Sequence, residues 1–146
     1  MSVIDSFTGE YRFLSNFYPS VVEIDGITYP TAEHAFQAWK TVDEDERKRI
    51  SLLETPGQAK RAGREVQLRG DWKSIKDGVM EMCVFRKFRN PHLKELLLAT
   101  GTAELIEGNT WNDTYWGVCN GKGKNMLGKT LMDCRAARPK TNECPF

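Results

Sequence analysis

Glu33, Gln37 and Lys40 are spaced four and then three residues apart, which places them on one face of a helix at about 100° per residue. Ala32, Ala35, Phe36 and Trp39 occupy the neighbouring arc, so a polar stripe runs beside a core stripe. Half-burial at such a border raises the pKa of a carboxylic acid and lowers that of an amine. Those are the conditions for proton transfer by Glu33 and for nucleophilic attack by Lys40. The same spacing also fits a solvated Glu and Lys in weak proximity.

Three further segments carry candidate ligand groups. In Thr110 to Gly117, the rings of Trp111, Tyr115 and Trp116 surround Asp113. Aromatic faces stack on nucleobases for roughly 1 to 3 kcal/mol each, and an Asp nearby can hold a ribose hydroxyl or position water; aromatics packing a loop, with Asp113 as a turn residue, explain the same letters. Gly121-Lys122-Gly123-Lys124-Asn125 precedes a helix, where backbone N–H groups and basic side chains can face a phosphate. Its spacing is not that of a P-loop, and a flexible basic loop remains an equal reading. Phe13 to Ser20 reads as an extended, proline-ended segment in which Ser15 and Asn16 can hydrogen-bond a ligand and Phe17 or Tyr18 can stack on it, or as a buried arm with ordinary Asx and Ser turns.

The elements that must position these groups are mostly helices. Thr31 caps one start, Thr55-Pro56-Gly57-Gln58 is a capping box with proline at the first helical position, and Asn90-Pro91 repeats the cap-then-proline signature. Trp72, Ile75, Val79, Met82 and Cys83 recur at helical spacing after an Asp71 cap, and Leu127, Leu131 and Cys134 form a later stripe. Val22, Ile24, Ile27 and Tyr29 alternate around Asp25-Gly26, the pattern of a hairpin with a primed turn and the one clear β signal. The expected fold is mainly α: about six helices around one core, with a minor hairpin near the N-terminus.

At 146 residues the chain suits one compact domain, expected over residues 6–138, with 139–146 as a loose tail. Twenty-one Lys and Arg against twenty Asp and Glu leave a formal charge of +1, which excludes long-range attraction to duplex nucleic acid or an anionic membrane. Asp5, Glu10 and Arg12 interrupt the start of the chain, and no eighteen apolar residues run together, so a cytoplasmic protein outside the membrane is expected. Cys83, Cys119, Cys134 and Cys144 are widely spaced; they read as buried thiols of a reducing compartment, with no zinc spacing and no structural metal or cofactor expected.

Taken in order, these segments resemble the YbiA-like, or NADAR, family. The similarity rests on Phe13 to Phe17, Tyr29 to Lys40, Leu68 to Trp72, Lys87-Phe88, Leu96 to Gly101, Asp113 to Gly117, Gly121 to Gly128 and Leu131 to Arg135. It implies a mainly helical fold and hydrolysis of a ribose C1–N bond in nucleotide-like substrates. These are either ribosylamino-pyrimidine phosphates of the riboflavin pathway or ADP-ribose attached to guanine, free or in DNA, with no obligate protein partner. The resemblance implies Glu33, Lys40 and Asp113 as catalytic residues. It implies Ser15, Asn16, Phe17, Gln37, Trp72, Lys87, Trp116, Gly117, Gly121, Lys122, Gly123 and Asn125 as substrate-binding residues. The alternative is a module that binds ADP-ribose or NAD without turnover; the pairing of Glu33 with Lys40 speaks for cleavage, because binding alone gains nothing from a half-buried acid beside an amine.

Overall fold

The computed structural model describes residues 2–137, which pack as two compact units: residues 16–87, and residues 2–15 with 88–137. Residues 138–146, where the sequence places a loose tail and Cys144, lie outside the described residues. Six α-helices dominate, in keeping with the expected helical fold.

The unit of residues 16–87 opens on an antiparallel hairpin of β2 (Val22–Ile24) and β3 (Ile27–Tyr29), in register Val22↔Tyr29 and Ile24↔Ile27. Asp25 and Gly26 both take positive φ, 51° and 80°, the primed turn that matches strand twist. All four alternating apolar residues are buried, as the pattern requires. The Tyr29 hydroxyl is enclosed as well, and burial pushes its pKa up to about 12.

Helix α1 (Ala32–Ala38) starts where Thr31 predicts, with the Thr31 hydroxyl accepting from the His34 N–H at 3.1 Å. The expectation of a half-buried helix with a polar edge is corrected: all seven residues of α1 are buried. Helices α2 (Glu44–Ser51), α3 (Pro56–Gly63) and α4 (Trp72–Lys87) and both hairpin strands pack around it, and a helix enclosed on every side has no solvent face. A second correction concerns its length. Trp39 is the C-cap, and the Lys40 and Thr41 N–H groups bond back to Gln37 and Ala38 carbonyls at 3.2 and 3.3 Å. That tightened turn ends the helix, so Lys40 follows α1 and is not on its face. The Arg47 guanidinium lies 4.1 Å from the Trp39 ring centre, and the Lys40 carbonyl accepts from the Arg69 N–H at 2.8 Å; both fix the chain at this exit.

The capping box of α3 forms as read, with Thr55 and Gln58 bonded reciprocally. At the start of α4 the Asp71 carboxylate is taken by Arg69, at 2.7 and 3.2 Å, and its backbone carbonyl accepts from Ser74 and Ile75. Val79, Met82 and Cys83 of the α4 stripe are buried, with Trp72 and Ile75 at its half-exposed end.

In the other unit, β1 (Val3–Ile4) pairs in parallel with β4 (Glu104–Leu105), so structure begins ahead of Ser6. The expected extended run from Phe13 is corrected at its start. Gly9–Leu14 is a 3-10 helix, closed by the Ser15 N–H on the Arg12 carbonyl at 2.9 Å. This turn packs on α5 (Pro91–Ala99), capped by Asn90 as expected, and Phe13 meets Phe88 edge to face at 6.5 Å. Strands β5 (Gly108–Asn109) and β6 (Val118–Cys119) form a second parallel pair, and α6 (Met126–Arg135) lies against β4 and α5. Besides the hairpin, then, the described residues contain two small β pairs that the sequence did not signal. Among the described residues no helix is long and apolar enough to cross a membrane.

Candidate active site

The chemistry in the unit of residues 16–87 centres on Glu33. Its backbone N–H, an orphan donor of the first turn of α1, is taken by the Asn16 carbonyl at 3.0 Å, which ties the Asn16 segment to the helix. Its side chain is buried, 8% exposed, and Gln37 Nε2, one turn on, donates to Glu33 Oε2 at 2.6 Å. A short bond to a carboxylate is of the stronger, charge-assisted kind, so Gln37 sets where the carboxylate points. Gly63, the last residue of α3, lies directly against Gln37; a Cβ there would sit 2.8 Å from Gln37 Cδ and 3.2 Å from its Cβ.

Lys40 is half-buried after the end of α1, its Nζ 5.9 Å from the centre of the Phe36 ring, which in turn tilts against Trp72 at 5.2 Å. Burial lowers the Lys40 pKa; the Glu33 charge opposes that shift, and Arg64 and Lys60 add to it. An amine so placed is neutral over more of the working pH range than a solvated one. Although Lys40 leaves the helix, it stays within electrostatic reach of Glu33.

Among the buried side-chain atoms of this unit without a partner among the described residues are two amide oxygens, Gln37 Oε1 and Asn16 Oδ1, the Asn16 amide nitrogen meeting Met80 Sδ at 3.2 Å. A ligand hydroxyl or amine would satisfy either. Phe17 is exposed, and Lys87, at the end of α4, is buried with its Nζ 5.8 Å from the Tyr18 ring centre. His34 is fully buried and structural: Thr31 Oγ1 lies 2.8 Å from Nδ1 and the Leu53 carbonyl 3.0 Å from Nε2. The structure thus brings Glu33, Gln37, Lys40 and Trp72 into one neighbourhood, with Asn16 attached through the backbone.

In the other unit, Asp113 builds the loop. Its Oδ1 accepts from the N–H groups of Tyr115 and Trp116 at 3.2 and 2.9 Å, while Asn109 clamps its backbone from both sides. Trp116 stacks edge to face on Tyr115 at 4.8 Å, and Trp111 is 59% exposed. Gly121 completes a tight turn with Asn120, both at positive φ, between the mutually bonded Cys119 and Lys122. Gly123 is required by a close approach, because a Cβ there would run into the Gly117 carbonyl.

The backbone anion cradle expected before α6 is not formed. The N–H groups of Lys124, Asn125, Met126 and Leu127 are donated at 2.8 to 3.3 Å to the carbonyls of Thr114, Gly117, Tyr115 and Trp116, so the helix start is used to hold the aromatic loop. Asn125 is likewise committed: its Oδ1 accepts from Glu107 N–H and its Nδ2 donates to the Leu105 carbonyl. In this unit a cleft of about 630 Å³ opens among Ile4, Asp5, Glu10, Tyr11, Leu96 and Thr100; none of the residues expected in the site lines it. Among the described residues no group of three His, Cys, Asp or Glu could hold a metal ion.

Sequence reasoning missed Gly63 and the pair Lys60 and Arg64. A glycine ending a helix is ordinary punctuation, and its reason lies in Gln37, twenty-six residues away.

The site thus holds a buried carboxylate positioned by an amide and a half-buried amine under its electrostatic influence. Residues 5–137 match the NADAR domain, and the chain belongs to that family. It is 45% identical over 134 residues to the N-glycosidase YbiA of Shigella flexneri, covering 89% of this chain and 83% of that one. It is 40% identical over 129 residues to the riboflavin biosynthesis protein VVA0006 of Vibrio vulnificus, of which it covers 35%. The solution NMR structure of the Escherichia coli protein YbiA superposes with a TM-score of 0.82 at 41% identity, over 93% of this chain and 84% of that one. With these relatives, the chain is an N-glycosidase.

Proposed function

We propose that the chain hydrolyses the bond between ribose C1 and nitrogen in a phosphorylated, nucleotide-like substrate, with Glu33 moving protons and Lys40 as nucleophile. The observation that carries this is the buried Glu33 carboxylate, held by Gln37 and coupled to the half-buried Lys40. Glu33 takes the ammonium proton of Lys40; the neutral amine attacks C1, and the C1–N bond breaks with its electron pair going to the departing nitrogen, which receives that proton from Glu33. The ring oxygen then leaves C1 and is protonated, giving an open-chain imine on Lys40. Water adds to the imine carbon, and collapse returns the free amine and the sugar aldehyde.

Two substrate classes share this bond. The name of the Vibrio relative supports a ribosylamino-pyrimidine phosphate, and the family resemblance supports ADP-ribose on guanine. Incubating the protein separately with each and following release of base and sugar distinguishes them. Tight binding of either with no base released would make the chain a binding module and overturn the proposal.

A further inference from the structure

Two basic residues of α3 bear on Lys40 in the unit of residues 16–87. Lys60 and Arg64 stand one turn apart at the C-terminal end of α3, and both act electrostatically on Lys40. Packing of Gly63 against Gln37 fixes that end of α3 beside the residue that positions Glu33. Among the described residues, neither Lys60 nor Arg64 forms an ion pair; the surface pairs lie elsewhere, at Glu44–Lys48, Glu46–Arg49 and Arg69–Asp71. Basic residues at a helix C-terminus suit the helix dipole, which explains their presence on α3. It does not explain why two of them, uncompensated, act on an amine that is itself half-buried, an arrangement that repels until an anion enters. The N–H groups before α6, the other place where an anion was expected, are already bonded.

We propose that Lys60 and Arg64 form the subsite for the phosphate on the substrate's ribose, placing C1 of that sugar at Lys40. This rests on the glycosidase reading for its substrate class. It assigns the phosphate to side chains of α3, where guanidinium and ammonium groups make charge-assisted bonds to phosphate oxygens. Phosphate bound there compensates the two cations, while burial, the largest influence on Lys40, still holds its pKa down.

Ribose 5-phosphate carries the recognised group and no bond to cleave, so its binding is independent of turnover. Calorimetric titration in phosphate-free buffer at fixed ionic strength compares it with unphosphorylated ribose. Wild-type protein is expected to prefer ribose 5-phosphate by ~10-fold or more, the effect of one or two charged hydrogen bonds. Lys60→Ala/Arg64→Ala removes the preference, Lys60→Arg/Arg64→Lys retains it, and the melting temperature of each, checked in parallel, stays near wild type because neither residue is paired. No preference in the wild type, or the same preference in the double Ala variant, overturns the subsite. If ribose 5-phosphate is preferred through these residues but neither nucleotide-like substrate is cleaved, the glycosidase reading fails and the subsite stands.

Discussion

Gly63→Ala tests how far the position of the acid depends on close packing between helices. The added methyl would lie 2.8 Å from Gln37 Cδ and 3.2 Å from its Cβ, and closer still to Oε1. Gln37 is buried inside α1, 4% exposed, so it has no solvent to retreat into. Forcing a methyl into a filled core costs ~1 to 3 kcal/mol, while alanine in a helix returns ~0.5 to 1 kcal/mol relative to glycine. The net expectation is a loss of ~0.5 to 2 kcal/mol, or a few °C in melting temperature. Displaced, Gln37 no longer holds the Glu33 carboxylate, and a hydrogen bond to a charged group is worth roughly 1.5 to 3 kcal/mol. If half of that is felt in the transition state, kcat falls ~4- to 13-fold. Thermal unfolding and steady-state kinetics on Gly63→Ala, Gln37→Ala and the double variant form a cycle. Relief of the clash predicts that the stability losses do not add, since the double variant has room for the methyl. Strictly additive losses, or full activity in Gly63→Ala, would show that Gln37 does not depend on this contact.

Glu33→Gln keeps the shape of the buried side chain and removes the transferable proton, so turnover should drop ~100-fold or more with the melting temperature nearly kept; near-normal kcat would exclude Glu33 as the acid and base. Asp113→Asn preserves the Oδ1 that accepts from Tyr115 and Trp116, whereas Asp113→Ala loses it. A turn role predicts kinetics near wild type in the Asn variant with loss only in Ala, and equal loss of kcat in both would give the carboxylate a catalytic role. Burial holds the His34 pKa below its usual 6.5, so the unfolded chain binds more protons as pH falls through that value. Stability from this residue is complete above about 6.5 and declines below it; melting temperatures from pH 7.5 to 5.5 should fall more steeply in the wild type than in His34→Gln, and parallel curves would contradict the assignment.

Much of the helical fold was legible because its signals are local. Thr31, the Thr55 capping box and the Asn90-Pro91 pair each satisfy backbone donors within a few residues, and Asp25-Gly26 writes its own turn. Helix α2 was not legible: it presents only Ile50 to the core, and its other residues are mostly charged, so no apolar stripe announces it. The two-residue parallel pairs are too short for alternation to show. At the site, residue types were readable at Glu33, Gln37 and Lys40, but the route was not. Helical periodicity carried Lys40 along a helix that stops two residues earlier, at an exit where Arg47 stacks on Trp39 and Arg69 bonds the Lys40 carbonyl. Gly63 reaches Gln37 only when α3 docks on α1, an event with no local trace.

Covalent attack by Lys40 is the central claim, and chemical trapping tests it most directly. Borohydride added during turnover reduces an imine to a stable secondary amine, and mass spectrometry of the intact protein and its peptides locates it. The account predicts a mass increase equal to the sugar-phosphate portion of the substrate, confined to Lys40, together with near-complete loss of activity in Lys40→Arg, which keeps the charge but cannot form the imine. Absence of the adduct, with Lys40→Arg still active, would contradict the covalent route and leave water, activated by Glu33, as the attacking group.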